Sequence, residues 1–548
     1  MAYTAHVDTF ARDHLPPRGQ WPELIFDLPE LQYPGRMNCA AELLDQMVAR
    51  GHGERNVIHT QIDGKAYSCT YRQLLHRANQ IAQVLTGDLG LRPGNRVLLR
   101  APNNPMMAAC WFAVVKAGLI AVATMPLLRR TELRQIIDKA KVEAALCDVR
   151  LKHEMELAAA DCPDMKQVLY FNDGGADSLE QMLAAKPPKF ANVDTAADDV
   201  CLIAFTSGTT GKPKGTVHFH RDVLAMCDCF PRSCLKPGAD DIFCGTPPLA
   251  FTFGLGGLLC FPMRFGASTV LMERLTPDEL LATAEEFEAT ILFTAPTFYR
   301  QMASLYGNYD LNSLKKCVSA GEALPDATRQ QFKDASGIEI IDGIGATEMI
   351  HIFISHTPER VRRGATGYAI PGYQALIIDD QGRPCAPGVV GRLAVKGPTG
   401  CRYLADERQM DYVISSGEMR GWNLTGDAYM MDSDGYFHYQ ARTDDMIISA
   451  GYNIAGPEVE AALLQHPAVA ECGVVGVPDS ERGQIVKAWV VLKSGHAGDE
   501  SMAKELQAFV KNAIAPYKYP RAVKFVDALP KTQTGKIQRF KLRQHGQP

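Results

Sequence analysis

Residues 200–215 read VCLIAFTSGTTGKPKG, an apolar run that passes directly into a turn rich in glycine, hydroxyl residues and lysine. The apolar part has the length and composition of a buried strand. In the turn, three glycines allow close backbone approach to an anion, hydroxyls donate hydrogen bonds and two lysines supply charge. The stretch therefore predicts a strand followed by a phosphate-binding loop, with an ordinary flexible surface turn as the alternative.

The turn differs from a Walker A loop in its spacing. It reads G-x-x-G-K-P, and Pro213 removes a backbone donor where the helix of a Walker loop would begin. A phosphate held here would therefore sit in a different local fold from that of the P-loop proteins.

Strand-like and helix-like segments alternate on both sides of this stretch, which predicts an α/β fold with parallel sheets covered by helices. The run between Met106 and Met125 is interrupted by Lys116 and Gly118, so we interpret it as a core helix followed by a buried strand, without a membrane span. The clearest strand candidates are RVLLRAP (96–102), VLYFND (168–173), ATILFTAP (289–296), KKCVSAGE (315–322) and IEIIDGIG (338–345).

The sequence pattern changes towards the C-terminus. From about residue 365 turn signals and short strands predict a β-rich subdomain, and the block after about residue 445 is long enough for a small α+β domain. We expect a large N-terminal domain of layered α/β subdomains over residues 1–443. A small, mobile α+β domain is expected over residues 444–548.

Composition excludes several classes of protein. The 548 residues are 46% apolar and 22% charged, with a net charge of −5, which excludes a disordered, fibrous or polytopic membrane protein and a globally basic nucleic-acid binder. The N-terminus has no apolar signal segment, so we expect a cytoplasmic protein. The 15 cysteines include no C-x-x-C pair and are interpreted as buried free thiols, with zinc binding at Cys227, Cys229 and Cys234 as the weaker alternative.

The turn at Thr206–Gly215 resembles the phosphate loop of the acyl-adenylate-forming enzymes, which include acyl- and aryl-CoA ligases, peptide-synthetase adenylation domains and beetle luciferases. Four further motifs of that superfamily follow in order, and the resemblance covers essentially the whole chain. They are GIGATE (343–348), TGD (425–427), RTD (442–444) and PKTQTGK (530–536).

The resemblance implies a role for each motif. Glu348 would hold Mg²⁺, and Asp427 would bind the ribose of ATP. Lys536 would bridge the carboxylate and the phosphate. The implied catalytic residues are Thr206, Glu348 and Lys536. The residues implied in nucleotide binding are Thr206, Ser207, Gly208, Thr209, Thr210, Gly211, Lys214, Gly321, Glu322, Asp342, Gly343, Thr347, Asp427, Arg442 and Lys536.

Each of these residues also has a structural interpretation. Glu348 could be a surface glutamate at the start of a helix, and Asp427 could form an Asx turn. Lys536 could be a solvated lysine on a surface loop. Arg442 could form an interdomain salt bridge instead of contacting the ribose or a phosphate.

The family's second half-reaction implies a thiol acceptor. In the family the small domain rotates about a hinge, here Asp444, and replaces the lysine with a loop that helps to form the pantetheine tunnel, here Ser449, Gly451 and Tyr452. No carrier domain follows the last motif in this sequence, so free coenzyme A is the expected acceptor.

The acid pocket implied by the resemblance has flat aromatic and aliphatic walls, which suit a planar ring better than a long alkyl chain. Thr252 stands where peptide synthetases carry an aspartate for the α-ammonium, which argues against amino acids. Thr252 and His351 are the polar residues of this pocket. The alternative to a substrate contact for His351 is a structural role, in which its hydrogen bonds are satisfied within the protein. The full set is Phe251, Thr252, Phe253, Ala320, Gly345, His351 and Ile352.

These observations together predict an ATP-dependent aryl-carboxylate–CoA ligase that forms AMP and pyrophosphate. We expect it to act on 2-aminobenzoate or benzoate through an aryl adenylate, with ATP, Mg²⁺ and coenzyme A. The segments around residues 343–352 and 420–454 resemble the benzoate and aminobenzoate branch. No nucleic acid or membrane partner is expected, and a homodimer is one option. Two alternatives stay open, an enzyme that loads a carrier protein and a catalytically inactive binding relative.

Overall fold

The computed structural model describes residues 3–62, 64–207, 213–443, 445–449, 452–479, 482–531 and 537–544. It has a mixed α/β architecture with four sheets, and a large N-terminal part is followed by a small C-terminal one. The predicted fold class is confirmed.

The strands, in chain order, are β1 (Asn56–Ile62), β2 (Lys65–Thr70), β3 (Arg96–Arg100), β4 (Ile120–Thr124), β5 (Ala144–Asp148), β6 (Gln167–Phe171), β7 (Val200–Ser207), β8 (Pro213–Phe219), β9 (Ile242–Gly245), β10 (Ser268–Val270), β11 (Ile291–Thr294), β12 (Lys316–Ser319), β13 (Ile340–Gly345), β14 (Ile352–Ser355), β15 (Tyr368–Ala369), β16 (Gln374–Ile378), β17 (Val390–Lys396), β18 (Asn423–Met431), β19 (Phe437–Arg442), β20 (Ile447–Ser449), β21 (Tyr452–Ile454), β22 (Val469–Asp479), β23 (Gly483–Leu492) and β24 (Ala522–Phe525).

The α-helices are α1 (Phe10–Asp13), α2 (Tyr71–Gln83), α3 (Pro105–Lys116), α4 (Arg130–Ala140), α5 (Lys152–Ala160), α6 (Leu179–Ala184), α7 (His220–Phe230), α8 (Thr252–Leu255), α9 (Phe261–Arg264), α10 (Pro277–Glu286), α11 (Pro296–Met302), α12 (Asp326–Ser336), α13 (Gln409–Tyr412), α14 (Gly456–Leu463), α15 (Glu500–Ala513) and α16 (Arg539–Gln544). Among the described residues no helix combines the length and the apolar character that crossing a membrane would need.

The first sheet has the order β6-β5-β3-β4-β7-β8. Its strands are parallel except at one edge, where β7 and β8 form an antiparallel hairpin. The glycine-rich turn predicted to bind phosphate therefore joins two strands, which separates it structurally from the strand-to-helix loop of a P-loop protein. Helix α3, which follows β3, is buried along nearly its whole length and begins at the side-chain cap of Asn104.

The second sheet has the order β15-β14-β13-β12-β11-β9-β10-β1-β2. Strands β9 to β13 and β1 are parallel, whereas β2, β14 and β15 pair antiparallel at the two edges. The predicted parallel pairing is therefore confirmed for the central strands of this sheet and wrong for the edge strands β2, β14 and β15. Hydrophobic pattern does not report strand direction, because a buried strand looks the same in either orientation.

The β-rich segment after residue 365 forms the antiparallel sheet β16-β17-β18-β19. The C-terminal part has its own sheet, β21-β20-β23-β22 with β24 beside β23, which packs against α14 and α15 around its own apolar core. The predicted boundary between residues 443 and 444 falls between these two sheets, and we keep it as a proposal.

Candidate active site

The hairpin of β7 and β8 forms one wall of the site. Thr206 and Lys214 lie opposite each other in its register, and the buried Oγ1 atom of Thr206 has no hydrogen-bond partner in the part of the chain that the structure describes. Ser207 is the last residue of β7. The other predicted phosphate-loop residues, Gly208, Thr209, Thr210 and Gly211, lie outside the described residues.

A buried tyrosine connects this wall to the predicted metal-binding glutamate. The Nζ atom of Lys214 donates to the hydroxyl of Tyr403 at 2.9 Å, and that hydroxyl donates to Oε1 of Glu348 at 2.5 Å. Lys214 Nζ is itself 3.7 Å from the same carboxylate oxygen. Burial and the nearby Glu348 raise the pKa of Tyr403 far above its usual value, so the phenol stays protonated and remains a donor. Sequence reasoning missed Tyr403, because a lone tyrosine in GCRYLADE carries no chemical signature.

The segment that carries Glu348 is held in an unusual conformation. Glu348 lies in a short 3₁₀ turn, Thr347–Met349, and Ile350 follows it at a φ of +65°. A β-branched residue at positive φ is strained, and such strain clusters at functional sites. From the other side, Nε2 of His218 donates to the Thr347 carbonyl at 2.8 Å. The alternation of His218 and His220 with Phe219 in the sequence predicts mainly a packing role between a strand and a helix, and this hydrogen bond adds a second role for His218.

The predicted ribose and hinge motifs meet on neighbouring strands. Asp427 on β18 and Arg442 on β19 lie directly opposite each other, and Nη1 of Arg442 donates to Asp427 Oδ1 at 3.1 Å. Burial raises the pKa of Asp427, with Arg442 acting in the opposite direction. A side chain at Gly426, whose φ is +77°, would meet the Arg442 guanidinium at 2.6 Å, so the TGD motif needs its glycine.

The carboxyl ends of β12 and β13 bring two more predicted stretches together, as expected for neighbouring parallel strands. Ala320 is buried, Gly321 has a φ of +92°, and Glu322 accepts a hydrogen bond from Thr297. On the next strand Asp342 is buried, and burial raises its pKa to about 7. Its Oδ1 atom has no hydrogen-bond partner among the described residues, and at Gly343, which follows, a Cβ would meet the Ile352 side chain at 3.0 Å.

The predicted acid pocket contains a buried histidine among aromatic rings. His351 packs against Phe230, Phe253 and Phe261, with ring centroids 6.0, 5.7 and 4.5 Å away. Its Nε2 atom lies 3.4 Å from the Phe253 carbonyl, whereas the buried Nδ1 atom has no hydrogen-bond partner within the described residues. Burial lowers the pKa of His351 to about 3, so the ring is neutral at any working pH.

The other predicted pocket residues include Gly345, which lies against the backbone of His351. Gly345 must lack a side chain, because a Cβ there would meet the His351 backbone at 2.7 Å. Thr252 is buried at the first residue of α8, between the half-buried rings of Phe251 and Phe253. Ala320 and Ile352 belong to the main apolar core.

The predicted coenzyme A and hinge residues are only partly described. Ser449 is buried and pairs with the exposed Tyr452 across the hairpin of β20 and β21, and Tyr452 stacks on Tyr517 at 4.6 Å. The hinge residue Asp444, the glycine Gly451 and the lysine Lys536 lie outside the described residues.

Taken together, the site has the parts that an acid-activating enzyme needs. A lysine, a tyrosine and a glutamate contact one another, the lysine lies opposite a phosphate-loop threonine, and the charge of Glu348 acts on Asp427. Several buried polar atoms in these segments have no partner within the described residues, which is typical of a site that a ligand completes. They are Thr206 Oγ1, Ser319 Oγ, Asp342 Oδ1 and His351 Nδ1. This fold and this site define the class of enzymes that activate a carboxylate with ATP.

Comparison with known proteins supports the same assignment. The family model of the AMP-binding enzymes matches residues 45–403, and the model of the AMP-binding enzyme C-terminal domain matches residues 458–536. The chain belongs to the AMP-binding enzyme family. It is an AMP-forming acid–CoA ligase that uses ATP and coenzyme A.

Its relatives include enzymes that act on aromatic acids. A benzoate–CoA ligase of Thauera aromatica is 35% identical over 522 residues, which cover 94% of this chain and 97% of the relative. The structure of the anthranilate CoA ligase AuaEII in complex with anthranoyl-AMP matches with a TM-score of 0.88 at 33% identity, covering 95% of this chain and 99% of that one. A benzoate CoA ligase from Burkholderia xenovorans LB400 matches with a TM-score of 0.83 at 33% identity, covering 92% and 100%.

Proposed function

We propose that this ligase activates an aryl carboxylate, with 2-aminobenzoate as the preferred substrate and benzoate as the nearest competitor. The reaction runs through an aryl adenylate with release of pyrophosphate, and the thiol of coenzyme A then displaces AMP. The relatives named for benzoate and anthranilate support an aromatic substrate, and the pocket chemistry supports the ring amine.

The observation that carries the proposal is the buried Nδ1 atom of His351, which has no hydrogen-bond partner among the residues that the structure describes. Since Nε2 faces the Phe253 carbonyl, it holds the proton, and Nδ1 is left as a buried acceptor. The opposite edge of the ring is closed by Gly256, where a Cβ would come within 2.4 Å of Cδ2. An aromatic amine supplies the donor that this acceptor lacks, whereas benzoate leaves it unsatisfied.

In this proposal residues 1–443 bind ATP and the acid, and residues 444–548 form the lid. Lys214 and the phosphate loop hold the phosphates, Asp427 accepts from the ribose hydroxyls, and Lys536 bridges the carboxylate and the α-phosphate. Glu348 fits a magnesium ligand because its carboxylate is largely buried while no hydrogen bond reaches Oε2 within the described residues. The ion would offset the negative charge of the phosphates.

Competition kinetics test the preference. Wild-type enzyme, offered equimolar 2-aminobenzoate and benzoate with MgATP and coenzyme A, is expected to favour the amine about tenfold in kcat/KM. His351→Leu should abolish this preference while changing kcat/KM for benzoate by less than about threefold. His351→Gln, which restores an acceptor oxygen, should recover part of it. A wild-type preference for benzoate, or an equal loss for both acids in His351→Leu, would refute the substrate proposal.

A further inference from the structure

Strand β8 presents three polar residues on one face. Lys214, Thr216 and His218 alternate along it, so the period of two places them side by side. The segment 402–404 pairs with this strand through two backbone hydrogen bonds, Val217 N–H to Arg402 and Leu404 N–H to Gly215, and Tyr403 lies opposite Thr216. Tyr403 is thereby aligned with Lys214 by strand pairing and not by a flexible loop.

Glu348 is held from both ends of this strand. Tyr403 and Lys214 contact its carboxylate, and His218 holds the carbonyl of the preceding Thr347. The backbone of Tyr403 is fixed by its neighbour Arg402, which is fully buried, donates to Asp222 at 2.9 Å and covers the Phe219 ring at 4.2 Å.

The charged groups behind the strand converge on one carboxylate. Asp222 is fully buried, and although burial opposes ionisation, Arg402, His218 and Arg221 hold its pKa well below the usual range. His218 Nδ1 lies 3.8 Å from Asp222 Oδ2, which also accepts from Arg402. One buried anion therefore anchors Arg402, the residue beside Tyr403, through a hydrogen bond, and it lies close to the histidine that holds Thr347.

We propose that Tyr403 is a positioning residue that sets the metal-binding orientation of Glu348, an inference that rests on the proposed role of Glu348 as a metal ligand. The phenol occupies Oε1 and leaves Oε2 for the ion. It also accepts the short hydrogen bond of Lys214, whose Nζ atom lies 2.9 Å from the hydroxyl and forms only a long ion pair of 3.7 Å with the carboxylate. Without the hydroxyl, this long ion pair is free to shorten into a direct charge-assisted hydrogen bond that competes with both ligands.

A matched control lies beside it. Tyr412 is buried, its ring meets that of Tyr403 edge-on with centroids 6.1 Å apart, and its hydroxyl has no hydrogen-bond partner within the described residues. Tyr403→Phe and Tyr412→Phe therefore remove the same atom from neighbouring buried rings. A general packing role of these rings predicts similar effects, whereas positioning of Glu348 predicts an effect from Tyr403 alone.

The test is calorimetric binding of AMP with EDTA and of ATP with and without Mg²⁺ to the full-length protein. For wild type and Tyr412→Phe, Mg²⁺ should strengthen ATP binding, and in Tyr403→Phe this strengthening should fall about tenfold while AMP affinity is retained. Because the result is a ratio within one sample, a reduced folded fraction does not alter it. An unchanged ratio in Tyr403→Phe, or equal losses of AMP and MgATP binding, would overturn the inference.

A double-mutant cycle separates this inference from the proposed function. If Tyr403 acts through Glu348, adding Tyr403→Phe to Glu348→Gln should change the Mg²⁺ effect by less than about twofold. Additive effects of the two substitutions would contradict the assignment. If wild type shows no Mg²⁺ effect on ATP binding, or Glu348→Gln preserves it, the proposed metal role of Glu348 fails and the inference fails with it.

Discussion

Asp342 is a buried carboxyl group of the site whose charge changes near neutral pH. Its native pKa of about 7 lies above the ordinary value of 3.8, because burial disfavours the charged form more than Arg329 and the Gly343 amide favour it. The protonated form is therefore favoured by folding. Stability from this group is fully present below pH 3.8 and is lost as the pH rises through 7, by at most about 4 kcal/mol.

Replacing this carboxyl with a neutral amide should remove that loss. We expect Asp342→Asn to raise the melting temperature relative to wild type by a few degrees more at pH 8 than at pH 5. Asp380→Asn, at a side chain that is 96% exposed, is the matched control and should show no such pH difference. Thermal unfolding of the three proteins at both pH values measures the effect, and a gain for Asp342→Asn that does not grow with pH would contradict it.

At the scale of residues, functional side chains could be predicted from the sequence where they belong to a short motif. Asp427 and Arg442 were predicted from separate motifs, and the structure pairs them across β18 and β19. No role in the site was predicted for Tyr403, and only a packing role for His218, because their contacts in the site join segments far apart in the chain. Contact between distant segments leaves no local pattern that a single sequence can display.

At the scale of elements, hydrophobic patterning was sufficient for the strands and the helix that it named, such as β3, β11 and α3. The run from Met106 to Met125 divides into α3 and β4, as predicted from its length and its interruptions. Lys116, the charge inside that run, is fully buried and paired with Asp45 at 2.5 Å, which explains how a buried helix tolerates it. Strand direction at the sheet edges and the turn at Ile350 depend on tertiary contacts and were not predicted.

At the scale of the whole molecule, the large and small parts touch through specific contacts. Arg300 of α11 donates to the Val469 carbonyl of β22 at 3.4 Å, and burial lowers its pKa. In the proposed mechanism the small part presents Lys536 for adenylation and the segment around Ser449 and Tyr452 for thioester formation. The sequence predicted this division from family motifs, and rotation between the two arrangements remains a proposal.

The two half-reactions should respond differently to loss of the lid lysine. Lys536→Ala is expected to slow adenylation by about 100-fold or more, because a cation is lost where negative charge develops. Thioester formation from supplied aryl-AMP and coenzyme A should stay within about threefold of wild type, since the lysine then lies away from the site. Single-turnover assays of each half-reaction measure both rates. Comparable losses in both would argue against alternating use of the lid.

The most direct test of the account is the identity of the products. Purified protein would be incubated with MgATP, coenzyme A and an equimolar mixture of benzoate, 2-aminobenzoate, 2-hydroxybenzoate, phenylacetate, hexanoate and palmitate, followed by mass spectrometry. We predict that an aryl-CoA dominates, led by 2-aminobenzoyl-CoA, and that AMP and pyrophosphate accumulate in equal amounts. A fatty acyl-CoA as the main product, or an acyl-AMP that coenzyme A does not consume, would contradict the account.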